Sequence, residues 1–364
     1  MSKKVFVGLS GGVDSSVTAA LLVKQGYDVT GVYMKNWSKD LPGFTCPWKE
    51  DFQDAKRVAV QLGIPFKMYD FETQYRQKVV DYMVREYQAG RTPNPDIMCN
   101  QEVKFKVFLE TALEDGADMI ATGHYARVEN AEGRMKNGMK DAADTTGMLM
   151  KAKDDNKDQT YFLYRITKDA LDKTLFPLGD YTKPEVRELA KEFGLVTAAK
   201  KESMGICFVG KVGIKEFLVH ELGPQKPGDI IDQSGKVIGR HEGAIYYTIG
   251  QRHGLDVGGG LPYYVTHKDM VKNEVYVTTN IDDEHLWHKE LSMTNTHWIH
   301  DSPNVGDVVR VRTRHRAPLI ECVVAELQGD TCRITLRDEI RALTAGQSAV
   351  LYDGDRVLGG GIII

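Results

Sequence analysis

No stretch of this chain approaches the roughly 18 apolar residues that a membrane span requires, and the apolar run after Lys3 and Lys4 is too short for a signal-peptide core. A cytoplasmic protein with no membrane partner is therefore expected. The cysteines, Cys46, Cys99, Cys207, Cys322 and Cys332, contain no CxxC pair and form no His/Cys cluster at zinc spacing. That excludes the usual patterns for a structural zinc or an iron–sulfur cluster. In a reducing compartment they read as thiols or redox groups rather than as staples. A basic excess is missing too. The formal net charge is −4, so any nucleic-acid contact must come from a local patch. Finally, GxxxxGK[ST] occurs nowhere, which removes the Walker-type phosphate loop.

What remains is ample material for a globular enzyme. With 364 residues, 42% of them hydrophobic, the chain can bury a sizeable core in two or three domains. Up to about residue 130, short β-branched runs alternate with amphipathic segments: VFVGL, DSSVTAALLVKQG, DVTGVYM, DFQDAKRVAVQLG, PFKMYDF, ETQYRQKVVDYMVREYQ, VKFKVFLETALEDG, ADMIATGHYA. This is the outline of a doubly wound α/β domain with a parallel sheet. Residues 131–147 are polar, glycine-containing and aperiodic, so they read as a flexible loop. Helical character returns at KPEVRELAKEFGL, with Pro184 suited to a first turn. After about Gly210, short strands separated by turn residues take over, a pattern that suits a small mixed segment followed by a barrel or a sandwich. The expected organisation is an α/β N-terminal domain over residues 1–210, a small, mostly β central domain over 211–282 and a C-terminal β-barrel over 283–364.

The most informative short stretch is GLSGGVDSS, between the first strand and the first helix. Its position aims backbone N–H groups at an oxyanion, its glycines permit close approach, and Ser10, Ser15 and Ser16 can donate hydroxyls. A generic glycine-rich turn would also fit, but SGGVDS is more specific than that. It resembles the PP-loop of the ATP pyrophosphatase superfamily, whose members split ATP between the α and β phosphates to adenylate an oxygen. The resemblance implies a loop that holds the pyrophosphate leaving group, with Asp14 helping to hold the accompanying magnesium.

Two cysteines stand in settings that suit sulfur chemistry. Cys99 lies in TPNPDIMCNQEVKF, after a loop stiffened by prolines around Asn94 and near Lys104 and Lys106. Cys207 lies in KKESMGICFVG, beside Lys200 and Lys201 and between glycines. A thiol of pKa about 8.5 is only about 3% thiolate at neutral pH, so cationic neighbours matter. A small buried cysteine near a helix start is the plainer reading of Cys99. Cys322 and Cys332 alternate with apolar residues and read as core. In VRVRTRHRA, a continuous strand would project Arg310, Arg312, Arg314 and Arg316 on one face at steps of about 6.6 Å. Such a stripe suits a phosphate backbone, and equally a solvated sheet face.

Taken together and in order, GLSGGVDSS, NPDIMCN, ATGHYAR, KDQTYFLY, ESMGICFVG and YYTIGQRHGL resemble the tRNA-specific 2-thiouridylase family over essentially the whole chain. The resemblance implies ATP, with Mg2+, bound by Gly8, Leu9, Ser10, Gly11, Gly12, Val13, Asp14 and Ser15, with Met34 and Gly123 lining the adenosine site. It implies that Asn94, Pro95 and Asp96 meet the target uridine, with Cys99 as nucleophile and Cys207 carrying a persulfide. His124, Lys157, Asp158, Gln159, Arg314, His315 and Gln347 would be tRNA contacts. The implied partners are lysine, glutamate and glutamine tRNAs and an upstream sulfur donor, either a cysteine desulfurase or a sulfur-relay protein. Asp96 could serve as a base or simply form a turn. His315 stands where a tyrosine is expected in many relatives, and the 131–147 loop is longer than the family's usual hairpin. A small-molecule PP-loop ligase would leave the paired cysteines unexplained, and a non-catalytic tRNA-binding module would leave the ATP loop unexplained.

Overall fold

Seven strands serve the N-terminal half: β1 (Lys4–Gly8), β2 (Asp28–Lys35), β3 (Phe66–Asp70), β4 (Met119–Ala121), the hairpin β5 (Arg127–Asn130) and β6 (Gly147–Met150), and β7 (Thr174–Leu175). The computed structural model describes residues 2–41, 43, 45–130, 147–201, 213–255, 257–258, 260 and 262–364. Five of these strands form a parallel sheet in the order β3-β2-β1-β4-β7. The order reverses between β1 and β4. In an open α/β sheet that reversal leaves a crevice at the carboxyl ends of the two strands, where ligands bind. The glycine loop follows β1 and ATGHYAR follows β4, so both motifs open onto that crevice.

Helices α1 (Val13–Lys24) and α2 (Trp48–Leu62) cover the sheet near the loop. The apolar side of α2, Ala55, Val58 and Ala59, packs with Val5, Val7 and Leu9 of the central strand. Pro95–Met98 forms one helical turn that runs directly into a π-helix, Cys99–Phe108, and then into Leu109–Glu114. The helix thus begins before Cys99, earlier than the sequence pattern suggests. Asn94 caps it by accepting from the Asp96 N–H at 3.2 Å, and Pro95 at the first position lacks the N–H that would otherwise be left over.

The central domain opens with the helix Ile214–Leu222 and continues as β8 (Gly228–Ile231), β9 (Val237–His241), β10 (Tyr264–Asp269) and β11 (Glu274–Thr278), in sheet order β10-β11-β8-β9. The C-terminal strands are β12 (Trp287–Trp298), β13 (Val308–Arg312), β14 (Ile320–Gln328), β15 (Thr331–Arg341), β16 (Ser348–Asp353) and β17 (Arg356–Ile363). They run β12-β15-β14-β13-β16-β17, and β12 pairs again with β17, closing a barrel. Cys322 and Cys332 are buried in its core, as their apolar alternation implies. Burial pushes their thiols up to about 12 and about 11, so they stay protonated.

Several contacts fasten the barrel to the N-terminal domain, among them a strand pairing and a buried ion pair. Hairpin β5–β6 adds to the barrel sheet through Met150 opposite Arg356. A fully buried carboxylate, Asp158, accepts from Arg312 of β13 at 2.8 Å and from the Thr160 hydroxyl at 2.9 Å. The expected arginine stripe is therefore not a stripe. Strand β13 ends at Arg312, whose side chain is turned inward onto Asp158, and Arg316 has a positive φ of 65° that ends any alternation.

Candidate active site

The glycine loop owes its shape to close packing. Gly11 has a φ of 74°, and a Cβ there would lie 2.3 Å from the Asp51 carbonyl oxygen at the start of α2, so no other residue fits. Gly123, past the end of β4, approaches the α1 backbone so closely that a Cβ would sit 2.8 Å from the Ser15 nitrogen. Ser15 Oγ accepts from the Ser10 N–H at 3.2 Å, while Ser16 Oγ donates to the Gly12 carbonyl at 2.7 Å. The N-terminus of α1, with its uncapped N–H groups and positive dipole end, faces the crevice. Met34, at the end of β2, reaches over Gly8, where a Cβ would be 2.9 Å from the Met34 methyl group. Phe108 of the π-helix lies 3.7 Å from the same point. The glycine loop, Met34 and the helix that carries Cys99 thus converge on Gly8.

The cation that the loop lacks comes from elsewhere in the chain. Lys183 Nζ donates to both oxygens of Asp14, and Tyr125 donates its hydroxyl to one of them at 2.9 Å. Lys183 is placed by a capping box at the start of the helix Lys183–Glu192, in which Thr182 accepts from the Glu185 N–H and Glu185 accepts from the Thr182 N–H. Sequence reasoning missed this lysine. Its signal was present in the pattern Thr-Lys-Pro-Glu, which marks a helix N-terminus. Asp14 is thus already neutralised within the protein. Among the described residues no group of three or more His, Cys, Asp and Glu side chains could hold a metal ion. Those described residues therefore make no protein cage for magnesium, and Asp14 is held by Lys183 and Tyr125.

Cys99 is buried, in the same apolar cluster as Trp37, Cys46, Tyr75, Ile97 and Phe217. Lys104 lies five residues on, in the same π-helix as Cys99. Lys104 bears on Asp96, whose carboxyl is raised above the ordinary aspartate value by burial, an effect that the Lys104 charge opposes. On its other side Lys104 Nζ lies 3.4 Å from His124 Nε2, and His124 Nδ1 lies 2.8 Å from the Thr122 hydroxyl. Burial, then the Lys104 charge, holds this imidazole well below its ordinary pKa, so it is neutral, with Nδ1–H donating to Thr122 and Nε2 accepting from Lys104.

Cys207 lies outside the described residues, as does most of the 131–147 loop. The chain on either side of 202–212 is anchored. Lys200 pairs with Asp51 and Asp54 at the start of α2, beside the glycine loop. Phe217 packs edge-on against Trp37 within the Cys99 cluster, and Glu221 holds Arg76.

The expected tRNA contacts divide. His124 and Asp158 are buried, and their side chains bond Thr122 and Lys104, and Arg312 and Thr160, respectively. Gln159 accepts from the Tyr125 N–H, and Lys157 is half-buried. Arg314 is exposed, with its guanidinium anchored on the Ala342 carbonyl at 2.6 Å. His315 stacks on Phe162 with ring centroids 4.6 Å apart. Phe162 in turn accepts at its carbonyl from Asn100, the neighbour of Cys99. Gln347 donates to the Thr92 carbonyl at 2.8 Å.

The chain is similar to known proteins along nearly its whole length. Residues 3–211 match the family model described as the tRNA methyl transferase HUP domain, 215–279 the tRNA methyl transferase PRC-barrel domain and 288–363 the aminomethyltransferase β-barrel domain. A Bacillus licheniformis protein named tRNA-specific 2-thiouridylase MnmA is 47% identical over 99% of this chain and 94% of its own length. The chain belongs to the tRNA-specific 2-thiouridylase family. The protein of that name from Geobacillus thermodenitrificans is likewise 47% identical, with the same coverage. Among solved structures, a 4-thiouridine synthetase in complex with RNA and bound ATP is similar over 60% of this chain and 50% of its own, at 20% identity and a TM-score of 0.36. The motif resemblance and the full-length similarity thus point to one family.

Proposed function

We propose that this protein replaces the C2 oxygen of the wobble uridine in lysine, glutamate and glutamine tRNAs by sulfur, consuming ATP. The observation that carries the reading is the convergence on Gly8 of the phosphate loop, the Met34 side chain and the π-helix bearing Cys99, in a chain belonging to the 2-thiouridylase family.

ATP would lie with its phosphates on the α1 N-terminus and its adenosine between Met34 and Gly123. The uridine C2 oxygen attacks the α-phosphorus and pyrophosphate leaves, which converts a poor leaving group into AMP. Lys183 and the N–H groups of α1 face the charge that builds on the departing pyrophosphate. Asn94, Pro95 and Asp96 form the rim against which the base would rest, and Asp96, with its raised pKa, would accept a proton at the base edge.

Sulfur enters from a persulfide on Cys207. Its terminal sulfur, or hydrosulfide released from it, bonds to C2 as the C2–O bond to AMP breaks. In the direct route the Cys99 thiolate then attacks the inner Cys207 sulfur, releasing 2-thiouridine and leaving a Cys99–Cys207 disulfide. A thiol reductant returns both cysteines to thiols. An upstream desulfurase or relay protein reloads Cys207.

The deciding experiment incubates the protein with wobble-uridine tRNA, MgATP and a cysteine desulfurase with cysteine as persulfide donor, and measures nucleosides and AMP. The wild-type protein is expected to form 2-thiouridine together with AMP. Cys99→Ser is expected to lose thiolation while still binding tRNA. Full thiolation by Cys99→Ser would refute the assigned mechanism.

A further inference from the structure

Thr92, seven residues before Cys99, lies where the three domains meet. It is buried, and all three of its polar groups are used, two by the barrel and one by the central domain. Its N–H donates to the Ala345 carbonyl of the barrel at 2.8 Å. Its carbonyl accepts from Gln347 Nε2 at 2.8 Å, and the same nitrogen lies 3.4 Å from the Pro93 carbonyl. Its hydroxyl lies 3.3 Å from the Thr248 hydroxyl of the central domain.

Both flanking domains are shaped to make these contacts. In the barrel, Gly346 has a φ of 93° and comes so close that a Cβ would meet the Thr92 nitrogen at 2.9 Å. In the central domain, Thr248 belongs to YYTIGQRHGL, a motif for which the reaction itself supplies no use. That motif folds into a tight turn in which Gln251 accepts from the Thr248 N–H at 3.0 Å and donates to the His253 carbonyl at 2.8 Å. Lys268 ties down the Tyr247 carbonyl just before it, at 2.8 Å. The turn also meets the barrel directly, since Gly250 packs on Ala342. On the N-terminal side, Arg91 is pinned by both oxygens of Glu86.

Between this clamp and Cys99 the chain is stiff. Pro93 and Pro95 restrict their own φ angles and those of their neighbours, and the capped turn at Asn94 runs straight into the helix of Cys99. A displacement at Thr92 therefore reaches Asn94, Asp96 and Cys99 rather than being absorbed by a flexible loop. We propose that Thr92 is a positioning residue, through which Thr248 of the central domain and Gln347 of the barrel set the place of the Asn94–Cys99 segment relative to the nucleotide. Gln347 then acts on the reaction through the main chain of Thr92 and Pro93 rather than as a direct tRNA contact. The inference rests on the proposed function for its kinetic readout only.

The test compares Gln347→Ala and Thr248→Val with Thr248→Ser in the full-length protein, by single-turnover thiolation, tRNA affinity at several salt concentrations, thermal unfolding and amide hydrogen exchange over residues 92–99. Gln347→Ala and Thr248→Val are expected to lower the thiolation rate at least tenfold, leave tRNA affinity and its salt dependence within twofold, and speed exchange over 92–99. Thr248→Ser, which keeps the hydroxyl, is expected to restore the wild-type rate and exchange. Weakened tRNA binding with unchanged rate and exchange in Gln347→Ala would make Gln347 a tRNA contact and overturn the inference. So would unchanged exchange in both variants. If the wild-type protein forms no 2-thiouridine, the proposed function fails, and the exchange measurement still decides the role of Thr92.

Discussion

Lys183 donates to both carboxylate oxygens of Asp14, at 2.6 and 2.8 Å, across 169 residues of sequence. The Asp14 side chain is about one-third exposed, at 33%, and that of Lys183 only 12%. An ion pair with one partner that exposed adds little to folding, on the order of 1 kcal/mol or less. Its place at the α1 N-terminus, where phosphates would bind, makes it far more consequential for catalysis. The loop itself carries no lysine, and the helix Lys183–Glu192 brings one to it.

Lys183→Met is accordingly expected to lower tRNA-dependent AMP formation by about 10²- to 10³-fold, the usual cost of removing one preorganised charge-stabilising donor. Thermal unfolding should move by only a few degrees. Lys183→Arg should retain more activity than Lys183→Met. AMP formation at the wild-type rate in Lys183→Met would show that the lysine serves Asp14 alone.

Arg312 and Arg314 are two residues apart and should behave oppositely. Arg312→Ala leaves Asp158 buried without its cation, a change that costs about 3–5 kcal/mol of stability, and it should leave the salt dependence of tRNA binding unchanged. Arg314→Ala should cost little stability, weaken tRNA binding and reduce the slope of log affinity against log salt by about one. Denaturant titration and filter binding at several salt concentrations separate the two. An unchanged slope for Arg314→Ala would place the RNA surface elsewhere.

This pair also shows where sequence reasoning stops. The parallel sheet, the loop at its switch point and the β-rich C-terminal part follow from local signals, strand and helix periods, glycine spacing and turn residues, whereas the β12–β17 pairing that closes the barrel is a long-range contact. Cys322 and Cys332 are core because they alternate with apolar residues on β14 and β15. VRVRTRHRA promised four arginines on one face only if the strand continued, and nothing local reveals that Arg316 takes a positive φ or that Arg312 faces a carboxylate 154 residues away. Lys183 and Thr248 were hidden for the same reason, since each acts on a partner brought near only by the fold, and so was the contact of Gln347 with Thr92. Asp158 and His124 sit inside recognisable motifs, yet their burial is a tertiary property.

Asp96 should set the acid limb of the pH–rate profile. Its carboxyl must be ionised to act as a base, and burial raises its pKa, so activity should fall at a higher pH than an ordinary aspartate of about 3.9 would allow. The Lys104 charge works against burial by favouring the carboxylate. Lys104→Met should therefore raise the Asp96 pKa further and move the acid limb of kcat/KM upward. Asp96→Asn should remove that limb along with most of the activity. A limb that stays in place in Lys104→Met would assign the titration to another group.

His124 predicts a pH dependence of stability rather than of rate. Its folded pKa is well below the unfolded value of about 6.5. Between those two values the unfolded chain holds more protons than the folded one, so stability is present above about pH 6.5 and is lost as pH falls toward the folded pKa. One such group contributes a slope of at most about 1.36 kcal/mol per pH unit. Burial depresses His241, His288, His297, His300 and His315 as well, so the wild-type protein should lose stability steeply between about pH 6.5 and 5. His124→Gln removes one of these contributions. Its urea midpoint should start lower at pH 7.5, because the contact with Lys104 is altered, yet fall less than that of the wild-type protein on acidification. Parallel declines in the two proteins would mean that His124 can be protonated within the folded state, and the neutral imidazole between Thr122 and Lys104 would have to be abandoned.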